Sequence, residues 1–183
     1  MRRSKKGVLL TRRQFVSAGA LGSAAALAIG CRTAATQDDW DVLSDDQART
    51  LAAICDQMIP ADDFPSASKA GVLVYIDGQL ARHYQRHQDA YRDGLEQADS
   101  MSRARFGHGL ADAPTSQRLE IAKSLELKNR PFFELVRKHT MEGYYGSPRH
   151  GGNRDAASWR MLGLAEPPLL GRAQYDLKNG GRS

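Results

Sequence analysis

Apolar residues recur at spacings of three and four along most of the chain, which is the period of an amphipathic helix, whereas the alternation typical of strands is missing. The clearest helix begins at Ser44, because Ser44 and Gln47 have the spacing of a capping box. Pro60 predicts its end, since the residue before a proline avoids helical backbone angles. The apolar residues of its inward face are Leu51, Ile54, Cys55 and Met58.

The same spacing predicts four more helices. The second extends from about Lys69 to somewhere near His87 and the third covers roughly 88–106, although the pattern also allows one continuous helix. Thr115 is expected to cap the fourth helix, and Pro131 suits the first position of the fifth, where its missing N–H is not needed. The inward side chains predicted for these helices are Val72, Tyr75, Ile76, Leu80, Tyr84, Tyr91, Leu95, Ala98, Met101, Leu119, Ala122, Leu125, Leu127, Phe132, Leu135, Val136, His139 or Thr140, and Met141.

These elements place the protein in the all-α class. We expect a compact bundle of about five helices with a Gly/Tyr-rich C-terminal loop region from Gly143 onward. A chain of 183 residues is long enough to bury one core without disulfides or metals. The predicted organisation is a signal peptide at 1–30, a tether at 31–43, a helical domain at 44–165 and a polar tail at 166–183.

The positive charge of the chain is concentrated at its start. The whole sequence has 26 Lys and Arg against 21 Asp and Glu, a formal net charge of +5. Residues 1–30 contain six basic residues and no acid, so the remaining chain carries 20 basic and 21 acidic residues and is close to neutral. A nucleic-acid-binding domain needs its positive charge on the folded surface, so this class of partner is not expected.

The first thirty residues have the pattern of an export signal, with a basic start, the uncharged apolar stretch 14–30 and small residues at its end. Arg12, Arg13 and Phe15 stand in the order Thr-Arg-Arg-Gln-Phe-Val, which resembles the twin-arginine signal of bacteria. The twin-arginine translocase moves folded proteins to the periplasm. An ordinary Sec signal in which two arginines adjoin by chance is the alternative.

Cys31 follows the apolar stretch directly, in the order Leu27-Ala28-Ile29-Gly30-Cys31, which resembles a lipobox. Lipidation of Cys31 after cleavage would hold the mature protein at a membrane surface rather than across it. The alternatives are simple cleavage after Ala28 or near Ala35. A disulfide between Cys31 and Cys55 is a further alternative, and it conflicts with lipidation.

The remaining chemical groups do not form a recognisable catalytic or metal-binding motif, and we assign no catalytic residue, no metal and no cofactor to this chain. His83 and His87 are four apart, but two ligands do not make a metal site. The acidic loop at Asp62 and Asp63 lacks the alternating oxygens of a calcium loop. Cys55 has no neighbouring cation in sequence to activate a thiolate, so we expect a buried thiol.

The most unusual stretch is the glycine-, tyrosine- and arginine-rich sequence 143–155, followed by Trp159. Aromatic and arginine side chains are enriched at interface hot spots, whereas glycines permit tight backbone packing. The residues are therefore candidates for a partner interface or for a loop scaffold, and the two roles can coexist. These candidates are Tyr144, Tyr145, Arg149, Gly151, Gly152, Asn153 and Trp159.

Two stretches of the chain carry a family resemblance. Asp56-Gln57-Met58-Ile59-Pro60-Ala61-Asp62, followed by Ala70-Gly71-Val72 and Tyr75-Ile76-Asp77, forms the first. The second combines Phe132-Phe133-Glu134-Leu135-Val136-Arg137 with Gly143-Tyr144-Tyr145-Gly146-Ser147-Pro148, Gly151-Gly152-Asn153, Asp155 and Trp159-x-x-Leu162-Gly163. In this order they resemble the gluconate 2-dehydrogenase subunit 3 family through about residues 44–163. After Gly163, Leu164-Ala165-Glu166-Pro167 replaces the family's usual Tyr-Pro-Gly.

This resemblance implies a non-catalytic small subunit of a membrane-associated dehydrogenase that acts on sugars, polyols or sugar acids. In such complexes the large subunit is a flavoprotein that holds FAD and the catalytic residues, and a cytochrome c subunit with haem c often accepts the electrons. The small subunit is thought to supply the twin-arginine signal for its folded partner. The alternatives are a stand-alone exported lipoprotein or binding protein, and an autonomous metal-dependent enzyme that uses His83, His87 or the Asp62–Asp63 loop.

Overall fold

A computed structural model describes residues 40–164 of the chain, and this part is entirely helical, without strands. Its six α-helices are α1 (Asp45–Met58), α2 (Val72–Leu80), α3 (Gln88–Phe106), α4 (Thr115–Lys128), α5 (Arg130–Tyr145) and α6 (Ala157–Met161). Short 3-10 turns occur at Gln85–His87, Leu110–Asp112, Pro148–His150 and Arg154–Ala156. The predicted all-α class is confirmed.

Helix α1 is the centre of the bundle. It packs against α3, α4 and α5, while α2 lies on α5. The predicted capping box at Ser44 is confirmed: the Ser44 hydroxyl accepts from the N–H of Gln47, and the Gln47 side chain accepts from the N–H of Ser44. The side chains that fill the core with less than 2% exposure include Leu51, Ile54, Val72, Ile76, Leu80, Tyr91, Leu95, Leu110, Ile121, Leu125, Val136 and His139.

The second helix, predicted from about Lys69 to somewhere near His87, is shorter than expected at both ends. Helix α2 begins at Val72, after Gly71 takes a left-handed conformation with φ of 84°, and ends at Leu80. The alternative of one continuous helix through α2 and α3 was wrong. The Gln88 side chain donates to the carbonyl oxygen of Leu80 at 3.0 Å and so satisfies one orphan acceptor at the end of α2.

Helix α4 faces the core with a different stripe from the one predicted. Ile121, Ala122 and Leu125 are buried, whereas Leu119 and Leu127 are 43% and 85% exposed. The cap prediction was wrong by one residue, because Pro114 precedes the helix and Thr115 is its first residue. The α1, α3 and α5 surfaces that enclose α4 decide this rotation, and the spacing of leucines within α4 does not reveal it.

Helix α5 begins and ends differently from the prediction. Asn129 caps it by accepting from the N–H of Phe132, so Pro131 is its second residue rather than its first. The helix continues through Tyr145, which corrects the expectation of a loop from Gly143 onward. Met141, predicted to face inward, is 40% exposed, while both His139 and Thr140 are buried.

Candidate partner-binding surface

After α5 the chain folds back over α2 and α5; we call residues 146–163 the C-terminal segment. The Arg154 N–H donates to the carbonyl oxygen of Ala70 at 2.8 Å, which fastens the segment to the turn before α2. Gly152 lies directly against α5, and a Cβ there would collide with the carbonyl oxygen of Gly143. Gly151 has a φ of 93° and lies on Val74. The glycines of this segment are therefore required by close packing and backbone conformation.

Two of the candidate residues are buried inside this arrangement. Asn153 is fully buried in a left-handed conformation; its amide donates to the Gly146 carbonyl at 2.8 Å and accepts from the Ser158 N–H at 2.9 Å. Tyr144 is 2% exposed and donates to the carbonyl oxygen of Pro65 at 2.9 Å. Such contacts belong to a scaffold that closes the C-terminal segment over the core.

Other candidates lie on the outside of the same scaffold. Tyr145 is 39% exposed, and its carbonyl oxygen accepts from the Trp159 indole N–H at 3.0 Å. Arg149 is exposed on the 3-10 turn that opens the segment. Met141 and Leu162 add further exposed apolar side chains. Aromatic, apolar and arginine side chains in solvent are the types that dominate protein–protein binding energies.

A hollow with a volume of about 400 Å³ opens between α2, the first described residues and the C-terminal segment. Its apolar lining includes Trp40 and Val74, and Val74 is 38% exposed. Arg82 and Arg149 line it as well, and Asp41 lies beside them. Of the lining residues, only Arg149 and Gly151 were interface or scaffold candidates from the sequence, because the other residues come from positions far apart in the chain.

Asp77 organises one wall of this hollow. It is 4% exposed, and its carboxylate accepts three backbone N–H groups: Oδ2 from Asp41 at 2.7 Å, and Oδ1 from Val42 at 3.0 Å and Leu43 at 2.9 Å. A buried charge is tolerated when it is hydrogen-bonded in this way. Sequence reasoning missed Asp77, although an acid on the inward face of an apolar helix is a signal of such a role.

A second buried polar cluster lies between α2, α3 and α5. The His139 ring stacks on Tyr84 with centroids 4.3 Å apart, and its Nδ1 bonds to the Tyr91 hydroxyl at 2.9 Å. Glu142 accepts from the hydroxyls of Tyr84 at 3.0 Å and Tyr75 at 3.4 Å. Every member of the cluster has a partner within the chain, so we assign the cluster to the stability of the fold.

The buried position of His139 predicts a pH-dependent stability. Burial lowers the pKa of His139 from 6.5 to about 4; the nearby charges of Glu142 oppose this effect, and those of His87, Lys138 and Arg86 reinforce it. Between these pH values the unfolded chain binds the extra proton and the folded chain does not. The free energy of unfolding is therefore expected to fall by up to about 3 kcal/mol as the pH drops from 6.5 towards 4.

Urea unfolding between about pH 7.5 and pH 4.5 measures this effect. The His139→Phe variant retains a ring for the stack but cannot titrate, so its stability is expected to change less across the same range. Parallel profiles for the two proteins would show that His139 is not responsible for the pH dependence.

The metal-binding candidates are not brought together. His83 is exposed, and His87 packs edge-on against Tyr84 with centroids 6.2 Å apart. Asp62 accepts from the N–H of Phe64 at 2.8 Å within its own loop. Among residues 40–164, no three His, Cys, Asp or Glu side chains form a group that could hold a metal ion.

Cys55 is a buried, free thiol. It is fully buried, and its sulfur lies 3.2 Å from the Thr140 hydroxyl. Burial raises the pKa of Cys55 to about 12, so the thiol stays protonated at neutral pH. This environment is that of a structural cysteine rather than a reactive one.

The predicted export residues Arg12, Arg13 and Phe15 and the lipidation candidate Cys31 lie outside the described residues. Within residues 40–164, none of the helices has the length and apolar character needed to cross a membrane.

Comparison with known proteins identifies the family. Residues 45–165 match the family described as Gluconate 2-dehydrogenase subunit 3, which covers more than half of the chain. No curated protein and no solved structure matches the chain. The matched range extends from the first turn of α1 through the C-terminal segment, so it includes the scaffold and every lining residue of the hollow except Trp40 and Asp41. The chain belongs to the gluconate 2-dehydrogenase subunit 3 family.

Proposed function

We propose that this chain is a non-catalytic small subunit that binds the flavoprotein subunit of a dehydrogenase complex and supplies its twin-arginine export signal. Membership of the subunit 3 family carries the proposal, because that family name implies a subunit within a multi-subunit dehydrogenase. The complex would act on a sugar, polyol or sugar acid. FAD would reside in the flavoprotein, and haem c in a cytochrome c subunit that accepts the electrons.

Two features of this chain support the proposed division of labour between the subunits. Its N-terminal region carries Arg12 and Arg13 in a twin-arginine-like order. Its helical domain exposes Tyr145 at the end of α5 and Arg149 on the C-terminal segment, beside the half-buried Trp159, and buried contacts fix the backbone of this segment. A rigid exposed surface lowers the entropy cost of binding. In the proposed mechanism the domain binds the folded flavoprotein in the cytoplasm, and the signal exports the pair to the periplasm.

Replacement of both signal arginines tests the carrier role. With Arg12→Lys/Arg13→Lys, we expect the co-produced flavoprotein to remain in the cytoplasm, because the small subunit that carries it no longer has a functional export signal. FAD content and dehydrogenase activity in the periplasmic and cytoplasmic fractions measure its location. The matched control is Arg2→Lys/Arg3→Lys, which makes the same change at the other arginine pair and is expected to permit export.

Periplasmic flavoprotein at wild-type levels in the Arg12→Lys/Arg13→Lys strain would contradict the carrier role. Failure of the wild-type chain to bind any flavoprotein would instead favour a stand-alone exported lipoprotein or binding protein.

We further propose that Cys31 is lipidated after signal cleavage and holds the complex at a membrane surface. In the same fractionation, Cys31→Ala is expected to shift the exported flavoprotein from the membrane to the soluble periplasmic fraction. Unchanged membrane association would exclude lipidation of Cys31 as the anchor.

A further inference from the structure

The hollow beside α2 is a preformed concave surface with hot-spot residue types on its walls. Trp40, Arg82 and Arg149 all line its volume of about 400 Å³. Tryptophan and arginine are the side chains most often found to dominate interface energies, particularly where they surround a pocket. A volume of this size accommodates a few inserted side chains of a partner protein.

The walls of the hollow are held by contacts within the chain. On one side the Asp77 carboxylate fixes the backbone of residues 41–43 through three hydrogen bonds. On the other side the Arg154 N–H bonds to the Ala70 carbonyl, and Gly151 lies against Val74. Because both sides are fixed before binding, association with a partner would lose little conformational entropy in ordering them.

The guanidinium groups at the hollow lack carboxylate partners. Arg82 and Arg149 form no ion pair or hydrogen bond with any residue of the described chain. Among the described residues, ion pairs form at the exposed Arg49, Arg92, Arg103, Arg105 and Arg137, whereas Arg86 and Arg130 are unpaired but lie away from the hollow. A guanidinium presents a fork of donors that matches a carboxylate, so two unpaired groups at one hollow point to a carboxylate ligand.

Two acids in the hollow restrict how such a ligand can bind. Both oxygens of Asp77 are already occupied by backbone donors, and Asp41 leaves a second negative charge at the surface of the hollow. The formal charges of the two arginines and the two acids therefore cancel. A carboxylate ligand would be attracted by short-range contacts with the arginines rather than by a net positive charge of the hollow. An inserted acidic side chain can contact the arginines inside the hollow. A flat anionic membrane would also face the exposed Asp41, whose negative charge would repel it.

The apolar lining argues for a protein ligand over a small anion. Val74 is 38% exposed in the first turn of α2, and Trp40, which lines the same hollow, is half-buried. A free inorganic anion would gain nothing from these side chains. A peptide segment with an acidic residue beside an apolar one would use both parts of the hollow.

We propose that this hollow binds an acidic segment of the flavoprotein subunit, with a carboxylate on Arg82 and Arg149 and an apolar side chain against Val74 and Trp40. The inference rests on the proposed function, because it names the surface through which the small subunit holds its partner.

Binding of the mature full-length chain to the purified flavoprotein subunit tests the inference. The Arg82→Gln/Arg149→Gln variant is expected to raise the Kd about tenfold or more, because it removes both forks while retaining much of each side-chain stem. Val74→Asp is expected to weaken binding as well, since it removes the apolar contact with the partner and adds a negative charge to the hollow that receives the carboxylate. Val74 is partly exposed, so this variant should fold, which circular dichroism checks.

The matched control is Arg86→Gln/Arg130→Gln. Both arginines are exposed and unpaired among the described residues, and neither lines the hollow. This control is expected to bind like the wild type. If Arg82→Gln/Arg149→Gln also binds like the wild type, the inference fails while the proposed function stands. If the wild type itself does not bind the flavoprotein, the proposed function fails, and the inference fails with it.

A membrane role for the same face is a separate outcome. Cys31 and Trp40 are nine residues apart, so a lipid on Cys31 would keep the hollow within roughly 30 Å of the bilayer. Sedimentation with vesicles that contain anionic phospholipid distinguishes this possibility. If Arg82→Gln/Arg149→Gln lowers vesicle binding but leaves the flavoprotein Kd unchanged, the face contacts lipid and the inference is overturned.

Discussion

Replacement of Gly152 by alanine is expected to destabilise the protein by about 3 kcal/mol and to release the C-terminal segment from α5. The added Cβ would collide with the carbonyl oxygen of Gly143, and a backbone atom in the last turn of a helix cannot move aside as a flexible side chain can. Urea unfolding measures the loss of stability. Limited proteolysis and Trp159 fluorescence report whether residues 146–163 have detached.

Gly78→Ala is the matched control, since Gly78 lies within α2 and a Cβ there has no atom within 4 Å. Alanine also has the higher helix propensity, so this variant is expected to be as stable as the wild type or slightly more stable. A Gly152→Ala protein with wild-type stability and proteolysis would show that the segment is not packed against Gly143.

Replacement of Asp77 by alanine is expected to cost about 3 kcal/mol, because it removes three hydrogen bonds to a charged acceptor and loosens the buried Leu43. The loss of protection at residues 41–43 should exceed the loss expected from the lower global stability alone. Hydrogen exchange at the amides of Asp41, Val42 and Leu43 is expected to accelerate most, since these donors lose their acceptor.

Two further variants separate the contribution of the Asp77 hydrogen bonds to stability from the general effect of removing an acidic side chain. Asp77→Asn retains one acceptor oxygen and is expected to fall between the wild type and Asp77→Ala. Asp63→Ala removes an exposed acid from a loop and should change stability by no more than about 0.5 kcal/mol. Slow exchange at residues 41–43 in Asp77→Ala would mean that other contacts hold this segment.

Loss of the Asp77 carboxylate is also expected to affect partner binding. One of the three amides that Asp77 holds belongs to Asp41, which lines the hollow proposed to receive the flavoprotein, and the other two belong to the residues that follow it. Loss of that wall should therefore weaken partner binding without any change to Arg82 or Arg149. Asp77 thus acts as a positioning residue for the surface, which distinguishes it from the side chains proposed to contact the partner.

The glycines and tyrosines of the family-like motif are explained first by their role in closing the fold. Gly143 leaves room for the Tyr75 ring, since a Cβ there would lie 2.9 Å from a ring carbon, and it also allows Gly152 to approach. Tyr144 and Asn153 then fasten neighbouring loops through buried hydrogen bonds. The inner side of the motif closes the fold, and its outer side presents the exposed Arg149 and the half-buried Trp159.

Local sequence patterns were sufficient for the all-α class, for the capping box at Ser44 and for the extent of α3, which was predicted over 88–106 and ends at Phe106 before Gly107 with a left-handed φ of 83°. These features depend on residues within a few positions of one another, and helical periodicity records such short-range relations directly. The family resemblance was likewise readable from contiguous motifs, and the family match confirms it.

Tertiary structure alone decided which face of α4 is buried, how Tyr84 and Tyr91 flank His139, and how Trp40, Val74, Arg82 and Arg149 come to line one hollow. The contacts concerned join residues far apart in the chain, such as Asp77 with Val42 and Cys55 with Thr140. Spacing within a helix shows which residues share a face, but it does not show which partner covers that face. The exposed side chains that could meet another subunit were therefore identifiable only after the helices had packed.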